Sequence, residues 1–95
     1  MPPVFPQEVR DEVDRMREAL RTAALRSRLS YGKIEEALNM SDGYLTVIFS
    51  GKAQLRVSHV FGILKVIGTS PWEFFAELAP AEERPEAPAT GHHAA

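Results

Sequence analysis

Apolar residues recur at helical spacing along most of this chain, and no stretch shows the alternation that is typical of a strand. In the first stretch the apolar positions are four, three, four and three residues apart: Val9, Val13, Met16, Leu20 and Ala23. No glycine or proline interrupts residues 7–28. We therefore predict one long helix up to about Arg28, with Pro6 at its first position, where a missing N–H costs nothing.

Cap and turn residues divide the centre of the chain into shorter helices. Ser30 is expected to cap a second helix, which Asn39 ends because asparagine tolerates the left-handed conformation. Ser41 is expected to cap a third helix that runs to Ser50, with Gly51 ending it. A fourth helix, closed by Gly68, is predicted from a stripe of inward-facing residues: Val57, Val60, Phe61, Leu64 and Ile67.

The fifth helix has the clearest start signal. The run 70–73 combines a serine cap, a proline at the first helical position and a glutamate at the third. Pro80 ends this helix, and residues 80–95 are too polar to bury apolar area, so we predict a disordered tail there. The expected fold is all-α, with five helices in one domain over residues 6–79.

The charge is distributed unevenly along the chain, although the net charge is only −2. Residues 15–65 hold nine basic and four acidic residues, whereas residues 1–14 carry a net charge of −3 and residues 66–95 one of −4. A basic centre between acidic ends favours an anionic partner for the centre. Cysteine is absent, which excludes disulfides, cysteine-ligated zinc and thiol catalysis.

Two short helices joined across Asn39 and Met40 make a helix-turn-helix. The run Leu29–Lys52 resembles the phage-repressor and Cro-like helix-turn-helix family, and the likeness continues to the start of the fifth helix. The matching positions are Ser41, Tyr44, Leu45, Ile48, Gly51 and Gly68. The resemblance implies a lambda-repressor-like fold that binds double-stranded DNA, with helix 41–50 in the major groove. It also implies a set of DNA-contacting residues: Tyr31, Lys33, Ser41, Asp42, Gly43, Tyr44, Thr46, Val47, Lys52, Gln54 and Arg56.

The sequence departs from that family at the positions that would contact DNA. Tyr31 stands where the family often has glutamine. The reading positions, where the family typically has Arg, Gln, Asn or Lys, are here Asp42, Gly43, Thr46 and Val47. Strong base contacts need those long donors, although Thr46 and Val47 have methyl groups that suit thymine. We expect phosphate contacts to supply most of the affinity.

Two further apolar groups favour self-association. The seam on the first helix and the aromatic residues of the fifth exceed what one small domain needs. The residues predicted to form the contact between two copies are Val9, Val13, Met16, Leu20, Trp72, Phe74, Phe75 and Leu78.

No combination of residues indicates catalysis, since the sequence has no phosphate-binding loop, no metal-spaced cluster and no serine that periodicity brings beside a base with an orienting acid. We expect no enzyme activity, no cofactor, no metal site and no membrane partner. Our first hypothesis is a cytoplasmic, homodimeric DNA-binding transcriptional regulator. The alternative is a protein-interaction module, antitoxin-like or adaptor-like, that keeps the fold without reading DNA sequence.

Overall fold

A computed structural model describes residues 5–79 of the chain. In this part the chain forms five α-helices and no strand, which confirms the all-α prediction. The helices are α1 (Gln7–Arg26), α2 (Tyr31–Ala37), α3 (Tyr44–Phe49), α4 (Val57–Ile67) and α5 (Pro71–Leu78). The predicted tail of residues 80–95 lies outside the described residues.

Several of the predicted helix caps are present. The hydroxyl oxygen of Ser30 accepts the N–H of Lys33 at 3.1 Å, and that of Ser70 accepts the N–H of Glu73 at 3.4 Å. Asn39 is left-handed, with φ 57°, and Gly68 closes α4 with φ 79°. These are short-range signals, so they could be read from the chain without knowledge of its tertiary contacts.

Every helix contributes to one core. α1 lies against α3 and α4, α2 also packs on both of these helices, and α5 packs on α4. Close approach of α2 and α4 depends on Gly62, where an added Cβ would lie 3.1 Å from a methyl group of Leu38. The buried apolar residues are Leu20, Ala24, Ile34, Leu45, Ile48, Val60, Ile63, Leu64 and Phe74.

Both ends of α1 and the buried face of α4 differ from the sequence prediction. α1 begins after Pro6 and ends at Arg26, because Arg28 has a left-handed φ of 68°. On α4 the covered face includes Ile63, whereas Val57 and Phe61 are exposed. The inward stripe, formed by Val60, Ile63 and Leu64, is therefore rotated about the helix axis relative to the predicted one.

The prediction that Ser41 caps α3 is wrong. α3 begins at Tyr44, after Gly43 with a left-handed φ of 85°, and no side chain of its own N-cap residue closes it. The cap comes from Glu35 on α2, which is 3% exposed. The two carboxylate oxygens of Glu35 accept the N–H groups of Gly43 at 3.2 Å and of Leu45 at 2.9 Å. An acid faces the positive end of a helix there, and it satisfies N–H groups that have no partner within α3.

Replacing Glu35 with alanine should lower the free energy of unfolding by about 2 kcal/mol, because two N–H groups lose a charged acceptor. Glu36 is exposed on the same helix, so Glu36→Ala is the matched control and should change stability little. Urea denaturation of both variants measures the difference. Equal stability of the two variants would contradict the capping role of Glu35.

Candidate nucleic-acid interface

One side of α3 is buried and the other is open to solvent. Leu45 and Ile48 are fully buried, whereas Thr46 and Val47 are exposed. The turn that precedes α3, residues 41–43, is exposed along its whole length. Together the turn and the outer side of α3 form a continuous strip, which we call the α3 strip: Ser41, Asp42, Gly43, Thr46 and Val47.

Basic and polar side chains are exposed on α2 and in the loop that follows α3. Lys33 is exposed on α2, and Lys52, Gln54 and Arg56 are exposed in the loop between α3 and α4. The loop is tied to α3, because the carbonyl of Val47 accepts the N–H groups of Lys52 at 3.1 Å and of Ala53 at 3.3 Å. Of these expected contact residues, Lys52 is thus held next to α3 by its backbone, and Gln54 and Arg56 follow it in the same loop.

The two tyrosines of the predicted site lie at opposite ends of α3, and both are half-buried. The ring of Tyr31 packs against Phe49 at the end of α3, with 5.5 Å between ring centroids. The ring of Tyr44, the first residue of α3, contacts the His59 ring edge-on at 5.8 Å. The Tyr31 ring therefore packs against the last residue of α3, whereas the Tyr44 ring joins the start of α3 to α4, and both rings remain partly exposed.

His59 links α4 to the loop. Its Nδ1 accepts the N–H of Arg56 at 3.1 Å, so the ring must be without a proton on that nitrogen. Burial lowers the pKa of His59 below the ordinary value of about 6.5, and the nearby charge of Arg56 lowers it further. His59 therefore holds the start of α4 against the loop that carries Arg56.

Two arginines of α1 lie close to residues around α3. The side chain of Arg17 is only 13% exposed and pairs with Asp14 at 2.6 Å. Its Nη1 lies beside Gly51, 3.9 Å from where a Cβ would stand. Arg21, which pairs with Glu18, is close enough to Tyr31 to interact electrostatically. Spacing along α1 does not predict these neighbours, because Gly51 and Tyr31 are distant from the two arginines along the chain.

Only some of the residues predicted to form the dimer contact are exposed on the surface. Leu20 and Phe74 lie in the chain's own core, so they cannot form a surface for a second copy. Met16, Phe75 and Leu78 are half-buried against that core. Val9, Val13 and Trp72 remain exposed.

An aromatic cluster on α4 and α5 adds to the exposed apolar area around Trp72. The rings of Phe61, Trp72 and Phe75 contact one another with centroid distances of 5.9 to 6.4 Å. Trp72 is 73% exposed, and Val57 one turn before Phe61 is 71% exposed. We call these four residues the aromatic surface. Phe61 and Val57 were missed because their spacing also fits the buried stripe of α4.

A groove of about 710 Å³ lies between α1 and α5, and none of the expected DNA-contacting residues lines it. Arg15 crosses this region and donates a hydrogen bond to the carbonyl of Leu78. Among the described residues no group of three or more potential metal ligands lies together, and none of the described helices could span a membrane. His92 and His93 are outside the described residues.

Comparison of the chain with protein families, curated proteins and solved structures finds no match.

The bond between Arg56 and His59 should make stability depend on pH. The folded protein favours the neutral ring of His59. The contribution of this ring to the free energy of unfolding is therefore complete above pH about 6.5, and it is lost as pH falls through the lower pKa of the folded state. We expect the unfolding midpoint in urea to fall between pH 7.5 and pH 5 more steeply for the wild type than for His59→Asn. Asparagine keeps an acceptor without titrating, so parallel profiles for the two proteins would exclude this role.

Proposed function

We propose that this protein is a small DNA-binding transcriptional regulator of the phage-repressor and Cro-like helix-turn-helix type. In this proposal α2 and α3 are the two helices of the motif, and the α3 strip enters the major groove. The observation that supports it most is the combination of an outward-facing strip on a firmly packed helix with basic side chains beside it. Such a helix can lie between two sugar-phosphate backbones while the flanking residues contact the phosphates.

Affinity comes from the flanks of the α3 strip. Lys33, Lys52 and Arg56 are exposed cations, and Gln54 adds a neutral donor. Contacts of this kind neutralise phosphates and release counterions, which makes binding strong at low salt and weak at high salt. Asp42 opposes binding, because its carboxylate stands in the strip that approaches the negatively charged duplex.

The protein binds as a homodimer in this proposal. Every residue from Gln7 to Arg15 is exposed, so the first half of α1 extends beyond the core with Val9 and Val13 uncovered. Trp72 and the rest of the aromatic surface are also uncovered. Two copies that cover these groups would present two α3 strips to half-sites about one helical turn of DNA apart.

A protein-interaction module, antitoxin-like or adaptor-like, is the second candidate. It is favoured by the composition of the α3 strip, which has no long donor, and by the exposure of Trp72. Tryptophan is enriched where proteins bind each other. DNA binding separates the two candidates, because a module of this kind needs no affinity for a duplex.

Binding to duplex DNA should fall steeply with salt, and Lys52→Ala with Arg56→Ala should weaken it on all sequences alike. The slope of log affinity against log salt should fall by about one for each phosphate that the variant no longer neutralises. Asp42→Asn should strengthen binding by removing repulsion. Mobility-shift titration of a random duplex at two salt concentrations measures these effects.

Lys65→Ala is the matched control for that titration, since Lys65 is exposed on the last turn of α4 and outside the proposed interface. It should leave the salt slope unchanged. Absence of binding even at low salt, or identical slopes for all variants, would exclude the proposed function and favour the protein-interaction module.

The chain should be a dimer at micromolar concentration, and Val13→Glu together with Trp72→Glu should convert it to a folded monomer. Both positions are exposed, so a charge there disrupts a contact between copies without entering the core. Analytical ultracentrifugation with circular dichroism measures mass and helicity together. Leu25→Glu, at another exposed apolar position, is the control, and a wild-type monomer at high micromolar concentration would refute dimerisation.

A further inference from the structure

The outer side of α3 presents methyl groups. Of the six residues Tyr44–Phe49, only Thr46 and Val47 are exposed, while Leu45 and Ile48 are buried and the two aromatic residues at the ends are half-buried. Both exposed residues are branched at Cβ, so their methyl groups lie close to the helix backbone and have few alternative rotamers.

The α3 strip lacks the donors that make the strongest base contacts. Residues 40–51 contain no Arg, Lys, Asn or Gln. The exposed carboxylate of Asp42 only accepts hydrogen bonds, and the hydroxyls of Ser41 and Thr46 are short. In the major groove the one apolar feature that distinguishes a base pair is the thymine C5-methyl group. Short methyl-bearing side chains are suited to contact that group.

The position of Val47 is tied to the basic loop. Its carbonyl accepts the hydroxyl of Ser50 at 2.9 Å in addition to the N–H groups of Lys52 and Ala53. A phosphate held at Lys52 would therefore set how deeply Val47 enters the groove. Rigid support of this kind lets a small apolar contact discriminate between bases.

We infer, building on the proposed function, that Thr46 and Val47 select thymine by contact with its C5-methyl group. The protein would then prefer sites with thymine opposite these two residues, and it would distinguish thymine from uracil, which pairs identically but lacks the methyl group. Loss of one buried methyl group corresponds to about a fourfold weaker affinity.

The test begins with selection of bound duplexes from a random-sequence pool by the full-length protein. The best duplex is then synthesised with deoxyuridine in place of thymidine at one position at a time. We expect about fourfold weaker binding at one or two positions of each half-site and no change elsewhere.

Variants of the protein show whether the methyl groups of these residues are responsible. Val47→Ser and Thr46→Ser remove the methyl groups at these exposed positions, and serine at position 46 keeps the hydroxyl. The double variant should bind the thymidine duplex more weakly and should no longer distinguish it from the deoxyuridine duplex. Leu25→Ala, at an exposed apolar position on α1, should keep the full discrimination.

The possible outcomes are separable. Tight binding with less than twofold discrimination overturns the inference and leaves the proposed function standing. Discrimination that persists in the double variant also overturns it, because the difference then arises from the shape of the DNA. Failure to bind any duplex at low salt overturns the proposed function and the inference together.

Discussion

The carboxylate of Glu35 joins α2 to the start of α3, and the position of α3 depends on this interaction. A helix of six residues is too short to be stable alone, so it must be held by its neighbours. Glu35 accepts the N–H groups of Gly43 and Leu45 from a fully packed position, while Ser41 supplies a backbone carbonyl to Tyr44 at 3.1 Å. The N–H groups of Gly43, Tyr44 and Leu45 at the start of α3 are thus satisfied within the protein, two of them by a buried carboxylate.

Because Glu35 caps α3 from within the protein, the side chains on the outer side of α3 are not needed to hold this helix in place. Leu45 and Ile48 supply the packing, and neither Thr46 nor Val47 contributes to the core. The residue types in the α3 strip can therefore be suited to contacts with a partner molecule. The proposed DNA contact and the inferred preference for thymine both rest on this separation of the two sides of one short helix.

For the attraction of an anionic partner, the charge of one surface matters more than the net charge of the whole chain, which is −2. Lys33 on α2 and Lys52 and Arg56 in the loop after α3 are exposed cations, whereas acidic residues predominate in the exposed first half of α1. The aromatic surface shares no residue with the strip, so the two surfaces can serve different partners at the same time. In the proposed function, a homodimer bound to DNA would use both of them.

The amino-acid sequence by itself determined the helices and most of their ends. The caps at Ser30 and Ser70 and the left-handed ends at Asn39 and Gly68 act within one turn of the chain, and the helical spacing of apolar residues needs no knowledge of neighbours. The exposed, basic surroundings of the proposed interface also followed from the residue types.

Only the tertiary structure decided where α3 begins and which side chains are covered. Glu35 lies eight residues before Gly43 and ten before Leu45, whose N–H groups it accepts. In the sequence, only its position next to the apolar Ile34 indicated that Glu35 is buried. Leu20 and Phe74 fit a dimer seam as well as a core, whereas Val57 and Phe61 fit the buried stripe of α4. Burial depends on which helices pack on each side, and those contacts join residues far apart in the chain.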